Sequence, residues 1–189
     1  RSEPPTTREI VTTDEGEQEE NVLNLPRIVI AIDPAVTANS NSDETAIAVA
    51  GVGPDGDYYV LSADGYRLPP QQWAMKALEA YDRWQADKIV AEVNNGGDMV
   101  IDTITRVCEG LGRSANVESI RASRGKTLRA EPIAALYEQG RVHHVGVFAE
   151  AEDQMCSFPV ANEHDDLVDA VVYALSDLSN QGAPNIRFL

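Results

Sequence analysis

Three acidic positions stand where an ordinary fold would not choose an acid. Asp33 follows the unbroken apolar run Ile28-Val29-Ile30-Ala31-Ile32, and Glu92 follows Ile89-Val90-Ala91. The third comes from His164-Asp165-Asp166-Leu167-Val168-Asp169-Ala170, where three acids and a histidine adjoin a strongly apolar stretch. Acids in the first turn of a helix satisfy free N–H groups and suit the helix dipole, which accounts for one or two of them. It does not account for three. Asp166 and Asp169, at i,i+3 spacing, repel each other unless a cation lies between them or solvent screens them. Carboxylates carried on separate rigid elements are the donor set that hard divalent ions require. Two such ions roughly 3.5–4 Å apart can clamp the attacking and leaving oxygens of a phosphodiester.

Other residues could serve the same chemistry. The loop Pro34–Glu44 is small and polar, and Asp43 lies where it ends, so it either returns a fourth carboxylate or sits in solvent as a turn acid. Asn94-Asn95-Gly96-Gly97 follows Glu92 almost directly, and its glycines permit either close backbone approach to a ligand or an ordinary turn. Arg121, Arg124, Lys126 and Arg129 form a basic cluster of four cations in nine residues with no acid among them. Its Gly125-Lys126-Thr127 is not a Walker A motif, because the required earlier glycine falls on Ile120, and no such motif occurs elsewhere in the chain. Phosphate contact is the better use of the cluster, with a solvated surface patch as the competitor. His143-His144 lacks metal-ligand spacing and reads as structural.

The elements that must position these groups are well punctuated. Residues 28–32 read as a strand buried on both faces, Thr45–Val52 and Tyr58–Ala63 as a hairpin around Gly53-Pro54-Asp55-Gly56-Asp57, and Lys88–Val93 as another buried strand. Pro69-Pro70 opens a helix whose Trp73, Ala77, Leu78, Tyr81 and Trp84 form a core-facing stripe. Further helices are expected over 98–110, 128–139 and 163–178, with strands at 117–120 and 142–147. A hairpin followed by alternating strands and helices implies an α/β domain on a mixed sheet. In open sheets of this kind ligands bind beyond the carboxyl ends of the strands, which is where Asp33 and Glu92 would converge if their strands are parallel neighbours.

Composition narrows the classes. The 189 residues carry 15 Lys+Arg against 31 Asp+Glu, a net charge of −16, so a protein that coats nucleic acid by charge alone is excluded. Residues 1–26 hold seven acids, two arginines and three prolines and read as an acidic linker or flexible arm, leaving 27–189 as the folded domain. Residues 27–189 keep −11, so the acidity belongs mainly to the folded part. No apolar stretch approaches the roughly 20 residues that span a bilayer, and residues 1–9 lack the apolar region of a signal peptide. Cys108 and Cys156 have no C-x-x-C spacing, which excludes a zinc knuckle or a disulfide framework.

Four blocks in order, residues 27–35, 92–98, 125–132 and 164–170, resemble the C-terminal nuclease domain of tailed-phage terminase large subunits. The resemblance runs from about Arg27 to Leu178. It implies a ribonuclease H-like fold, with a mixed central sheet of about five strands or more flanked by helices. It also implies dependence on two Mg²⁺ or Mn²⁺ ions and endonucleolytic cutting of concatemeric double-stranded viral DNA with little sequence specificity. Carried over by position, Asp33, Glu92 and Asp166 are the expected catalytic metal ligands, with Asp165 the alternate to Asp166. Asp43 matches an accessory acid near the metals. Lys126, together with Arg121, Arg124 and Arg129, is expected to meet DNA. The implied partners are a terminase ATPase domain, the small terminase subunit and the portal protein, with no membrane, in the cytoplasm of an infected bacterial cell. This chain holds no ATPase motif, so the resemblance implies an isolated nuclease domain or an ATPase on a segment not present here. Two other expectations stand beside it: a resolvase or integrase type of nuclease with the same fold, and a packaging-interaction module whose acids are inert.

Overall fold

A computed structural model of the chain describes residues 3–13, 16–34, 44–92, 97–120, 125–159 and 165–180. Strands β1 (Thr6–Thr13) and β2 (Gly16–Leu23) pair as an antiparallel hairpin. These lie within the segment expected to be an arm. The β-branched residues of Thr6-Thr7-Arg8-Glu9-Ile10-Val11-Thr12-Thr13 favour extended backbone, a preference that the acid-rich composition hides.

The main sheet has six strands in the order β7-β6-β3-β4-β5-β8. They are β3 (Arg27–Asp33), β4 (Thr45–Val52), β5 (Tyr58–Tyr66), β6 (Lys88–Glu92), β7 (Val117–Ile120) and β8 (Val142–His144). β4 runs antiparallel to both β3 and β5, whereas β3–β6, β6–β7 and β5–β8 are parallel. The turn between β4 and β5 closes with Gly56 at φ +85°, a conformation that only glycine adopts without strain. β8 stops three residues short of the expected 142–147 and is followed by a helix not expected from the sequence, α4 (Ala149–Ser157). Only Ala151 of α4 is buried, so the helix has no apolar stripe to announce it.

Alternation along the strands decides what each face meets. Ile28, Ile30 and Ile32 with Ile47, Val49, Ile89 and Ala91 pack under α1 (Pro70–Arg83) and α2 (Gly97–Gly110) through Trp73, Ala77, Leu78, Val100 and Ile104. Val29 and Ala31 with Ala46, Ala48, Ala50 and Val90 face the other way, toward α5 (Asp166–Asn180). The small residues on this side match Ala170 and Ala174 of the helix and let α5 lie close to the sheet. Ten of the fifteen α5 residues are buried, which identifies it as the central helix of this layer. α3 (Lys126–Glu138) and α4 complete the layer, contributing Ile133 and Ala151.

The far end of α5 is fixed by the first residues of β3 and β6. Arg27 donates from Nη2 to the Leu178 carbonyl at 2.5 Å, and the buried Lys88 ammonium meets Asp177 at 3.0 Å and Glu118 at 2.7 Å. α5 therefore runs antiparallel to β3 and β6, with its first turn at their carboxyl ends. Among the described residues no helix is long and apolar enough to cross a membrane. Asp177→Ala leaves the Lys88 charge inside with only the half-exposed Glu118. Urea unfolding should show a loss of about 3 kcal/mol for this variant, against under about 1 kcal/mol for Glu118→Ala. Equal losses for the two would refute this account of how α5 is held.

Candidate active site

Register brings the strand-end acids together. Ile32 pairs with Ala91 across the parallel β3–β6 ladder, so Asp33 and Glu92 end adjacent strands. Asp33 continues the Val29, Ala31 series, and Glu92 the Lys88, Val90 series. Both series face α5, so the two carboxylates share its side of the sheet. The first turn of α5 supplies Asp166 and Asp169. Asp169 is buried, at 3% exposure, an unusual state for a carboxylate that has no cation.

It has two cations. Arg129 Nη2 donates to Asp169 Oδ1 at 3.1 Å, and Lys126 Nζ reaches Asp169 Oδ2 at 2.9 Å and Asp165 Oδ1 at 2.6 Å. Arg129 also faces Glu92 Oε1 at 3.8 Å and lies over the Tyr173 ring at 5.0 Å. The Tyr173 hydroxyl faces the Glu92 carboxylate short of full hydrogen-bond geometry; burial first, then Glu92, raises its pKa. For Lys126, burial alone would lower the pKa, but Asp165 and Asp169 outweigh it and hold the ammonium above its ordinary value.

Asp33 carries the cost of this crowding. Its pKa is pushed up to about 8, first by burial, then by the charges of Asp169, Glu92 and Asp166, with Lys126 acting in the opposite sense. Four carboxylates thus act on one another at one end of the sheet, and two cations from α3 offset only part of their charge. Hard oxygen donors with excess negative charge in a buried setting fit a hard divalent cation, and Asp33, Glu92 and Asp166 are the residues that could hold one. Among the described residues no three His, Cys, Asp or Glu side chains stand as a ready-made metal cage. Asp165 and Asp169 are drawn instead to the cations of α3, and Glu92 faces Arg129.

The sequence-expected residues are thus distributed unevenly. Glu92 and Asp166, after Asp169, lie near enough to Asp33 to raise its pKa, and Asp165 is held by Lys126. Arg129, expected among the DNA-facing cations, turns inward instead, with its side chain 15% exposed against the acids; burial between Asp169, Glu92 and Tyr173 removes it from the surface. Asp43, Arg121, Arg124 and the Asn94-Asn95-Gly96 segment lie outside the described residues. The sequence reading noted Asp169 only as a repelling neighbour of Asp166, and its place between two cations depends on a helix 40 residues away. The histidines pack: His143 stacks on Tyr59 and meets Asp57 at 3.2 Å, and His144 bridges Tyr137 and Glu152.

The raised Asp33 pKa fixes a sign. Unfolded, the group ionises near 3.8, whereas folded it keeps its proton to about 8, so between these limits the folded chain binds the extra proton. Its contribution to stability then falls as pH rises through that window. With metal chelated, the thermal midpoint of Asp33→Asn should gain on that of the parent as pH is raised from about 4 to about 8. Parallel profiles for the two proteins would contradict the crowding.

Comparison with known proteins bears on the family and the fold. The family described as the terminase RNaseH-like domain matches residues 30–178. No curated protein sequence matches the chain. Among solved structures, the large terminase nuclease from thermophilic phage G20c is similar, with a TM-score of 0.59 at 15% identity, covering 82% of this chain and 87% of that one. A mutant nuclease domain of the large terminase subunit of bacterial virus Sf6, with manganese and beta-thujaplicinol, gives 0.58 at 12% identity, covering 82% and 90%. The yeast mitochondrial Holliday junction resolvase Ydc2 gives 0.54 at 10% identity, covering 83% and 82%. At these identities the structures speak for the fold, a six-stranded mixed sheet between helices of the ribonuclease H-like kind. The match over residues 30–178 carries the assignment further: the chain belongs to the family of terminase RNase H-like domains.

Proposed function

We propose that this chain is a metal-dependent endonuclease domain that hydrolyses phosphodiester bonds of double-stranded DNA, cutting concatemers during viral genome packaging. The observation that carries the reading is the half-buried Asp33 at the end of β3, beside Glu92 on the parallel neighbour β6 and within electrostatic reach of Asp166 of α5. Three carboxylates on three rigid elements form a donor set suited to Mg²⁺ or Mn²⁺, two ions in the family's manner. The manganese in the Sf6 nuclease structure supports that choice of metal. Bound divalent ions would supply the charge that activates water and offsets the charge on the transferring phosphate.

The chain's own residues take distinct parts. Asp33 would hold the centre of the site, with Glu92 and Asp166 flanking it. Asp166 is the proposed helix ligand, and Asp165 pairs with Lys126. The Lys126 side chain, 50% exposed at the first turn of α3, is placed to meet a phosphate oxygen at the mouth of the site. Arg121 and Arg124 precede it in the chain and extend the basic stretch toward the DNA backbone, and Asp43 serves as the accessory acid. These contacts read phosphates rather than base edges, in keeping with weak sequence preference. Partners would be a terminase ATPase domain, the small subunit and the portal in an infected cell's cytoplasm. The resolvase-like fold of Ydc2 supports a second reading, a nuclease selective for branched DNA.

Asp33→Ala should keep the far-ultraviolet circular dichroism of the parent and lose cleavage of linear duplex with either Mg²⁺ or Mn²⁺. Undiminished cutting by the variant would end the mechanism. In the same assay a marked preference for four-way junctions over linear duplex would select the resolvase reading.

A further inference from the structure

Both oxygens of Asp169 carry a cation. Oδ1 accepts from Arg129 at 3.1 Å, and Oδ2 meets Lys126 at 2.9 Å, while the side chain as a whole is 4% exposed. Arg129 is itself enclosed. Its guanidinium lies over Tyr173, one helical turn beyond Asp169 on α5, and faces Glu92 on β6. One planar cation of α3 thus touches the two elements that carry the flanking ligands. A guanidinium suits this place because its donors are fixed in a fork and its charge is never lost.

The geometry points to Arg129 and Asp169 as a positioning pair, in which the guanidinium holds Asp169 out of the metals' reach and aligns Glu92, so that Asp33, Glu92 and Asp166 alone bind the ions. The inference rests on the metal-site reading above. Asp169 released from its cations would add negative charge and a further donor. It would bind divalent ions more tightly and would draw them off the centre that the other three define. Paired with Arg129 and Lys126, Asp169 contributes its hydrogen bond and its place in α5 while its charge is offset. The pair thereby sets the strength of metal binding without touching metal or substrate.

A charge cycle read by Mn²⁺ calorimetry on the intact chain tests it. Arg129→Gln leaves Asp169 with Lys126 as its one remaining described cation and should bind Mn²⁺ about tenfold more tightly, while cleaving DNA more slowly at saturating metal. Asp169→Asn leaves the guanidinium without its counter-charge and should bind about tenfold more weakly. The double variant Arg129→Gln with Asp169→Asn restores neutrality, so the two opposite effects should cancel to within about threefold of the parent, whereas loss of a metal ligand would leave the double variant weak. Arg129→Lys, which keeps the charge, should stay near the parent. Lys126→Gln, at a half-exposed position, should tighten binding as Arg129→Gln does and keeps the test open if the Arg129 variant fails to fold. A double variant as weak as Asp33→Asn would make Asp169 a ligand and overturn the inference. Unaltered Mn²⁺ binding by Asp33→Asn itself would instead overturn the metal-site reading on which it rests.

Discussion

Carboxylates gathered at the carboxyl end of a buried sheet repel one another, and the arrangement of the surrounding elements follows from that repulsion. Asp33 lies behind the residues of β3 that are sealed on both faces, so water cannot screen it as it screens a surface acid. Glu92 reaches the same place by register, and Asp166 and Asp169 by the first turn of α5. Charge so placed destabilises a fold unless cations accompany it. Among the described residues α3 brings Lys126 and Arg129 to these acids, and divalent ions would add further positive charge.

Holding such a cluster requires rigid support, and the support is apolar and mostly distant from it. α5 is packed along nearly its whole length on a sheet face of small residues, and Arg27 and Lys88 tie its far end to the starts of the two strands whose ends carry the acids. The helix is thereby aligned at both ends with β3 and β6. α3 is different in kind. It buries Ile133 alone, contains Pro132, and presents its first turn to the acids through Lys126 and Arg129. Much of what orients its leading end is electrostatic, so the balance of charge at the site and the placement of α3 depend on each other. Such reciprocity is expected wherever one set of carboxylates can pair with either protein cations or metal.

The parts legible in the sequence are those governed by local pattern. An acid closing a β-branched apolar run is conspicuous because nothing in a buried strand explains it, and Asp33 and Glu92 stand out for that reason. Apolar spacing on α1 and α5 foretells which faces are buried, and Trp73 and Leu78 lie in the core as the spacing requires. The six-stranded mixed sheet likewise follows from the hairpin and the alternation after it. The rest depends on partners remote in sequence. Arg129 looks like a surface cation until α3 is laid against α5, because nothing within its own helix reveals a buried acid 40 residues away. α4 has too little apolar surface to reveal itself, and the β1–β2 hairpin is masked by glutamates that a sequence reading assigns to solvent. The histidines illustrate the same limit, since their role as packing groups is settled by Tyr59, Tyr137 and Glu152.

The account has one central claim: three carboxylates on β3, β6 and α5 form a divalent-cation site, with Asp169 held aside by the cations of α3. A crystal of the chain soaked in Mn²⁺ and measured at the manganese absorption edge tests it most directly. The anomalous density should lie against Asp33, Glu92 and Asp166, with Asp169 still turned to Arg129. Density bridged by Asp165 or Asp169 while Asp166 faces solvent, or manganese bound only elsewhere on the acidic surface, would contradict it.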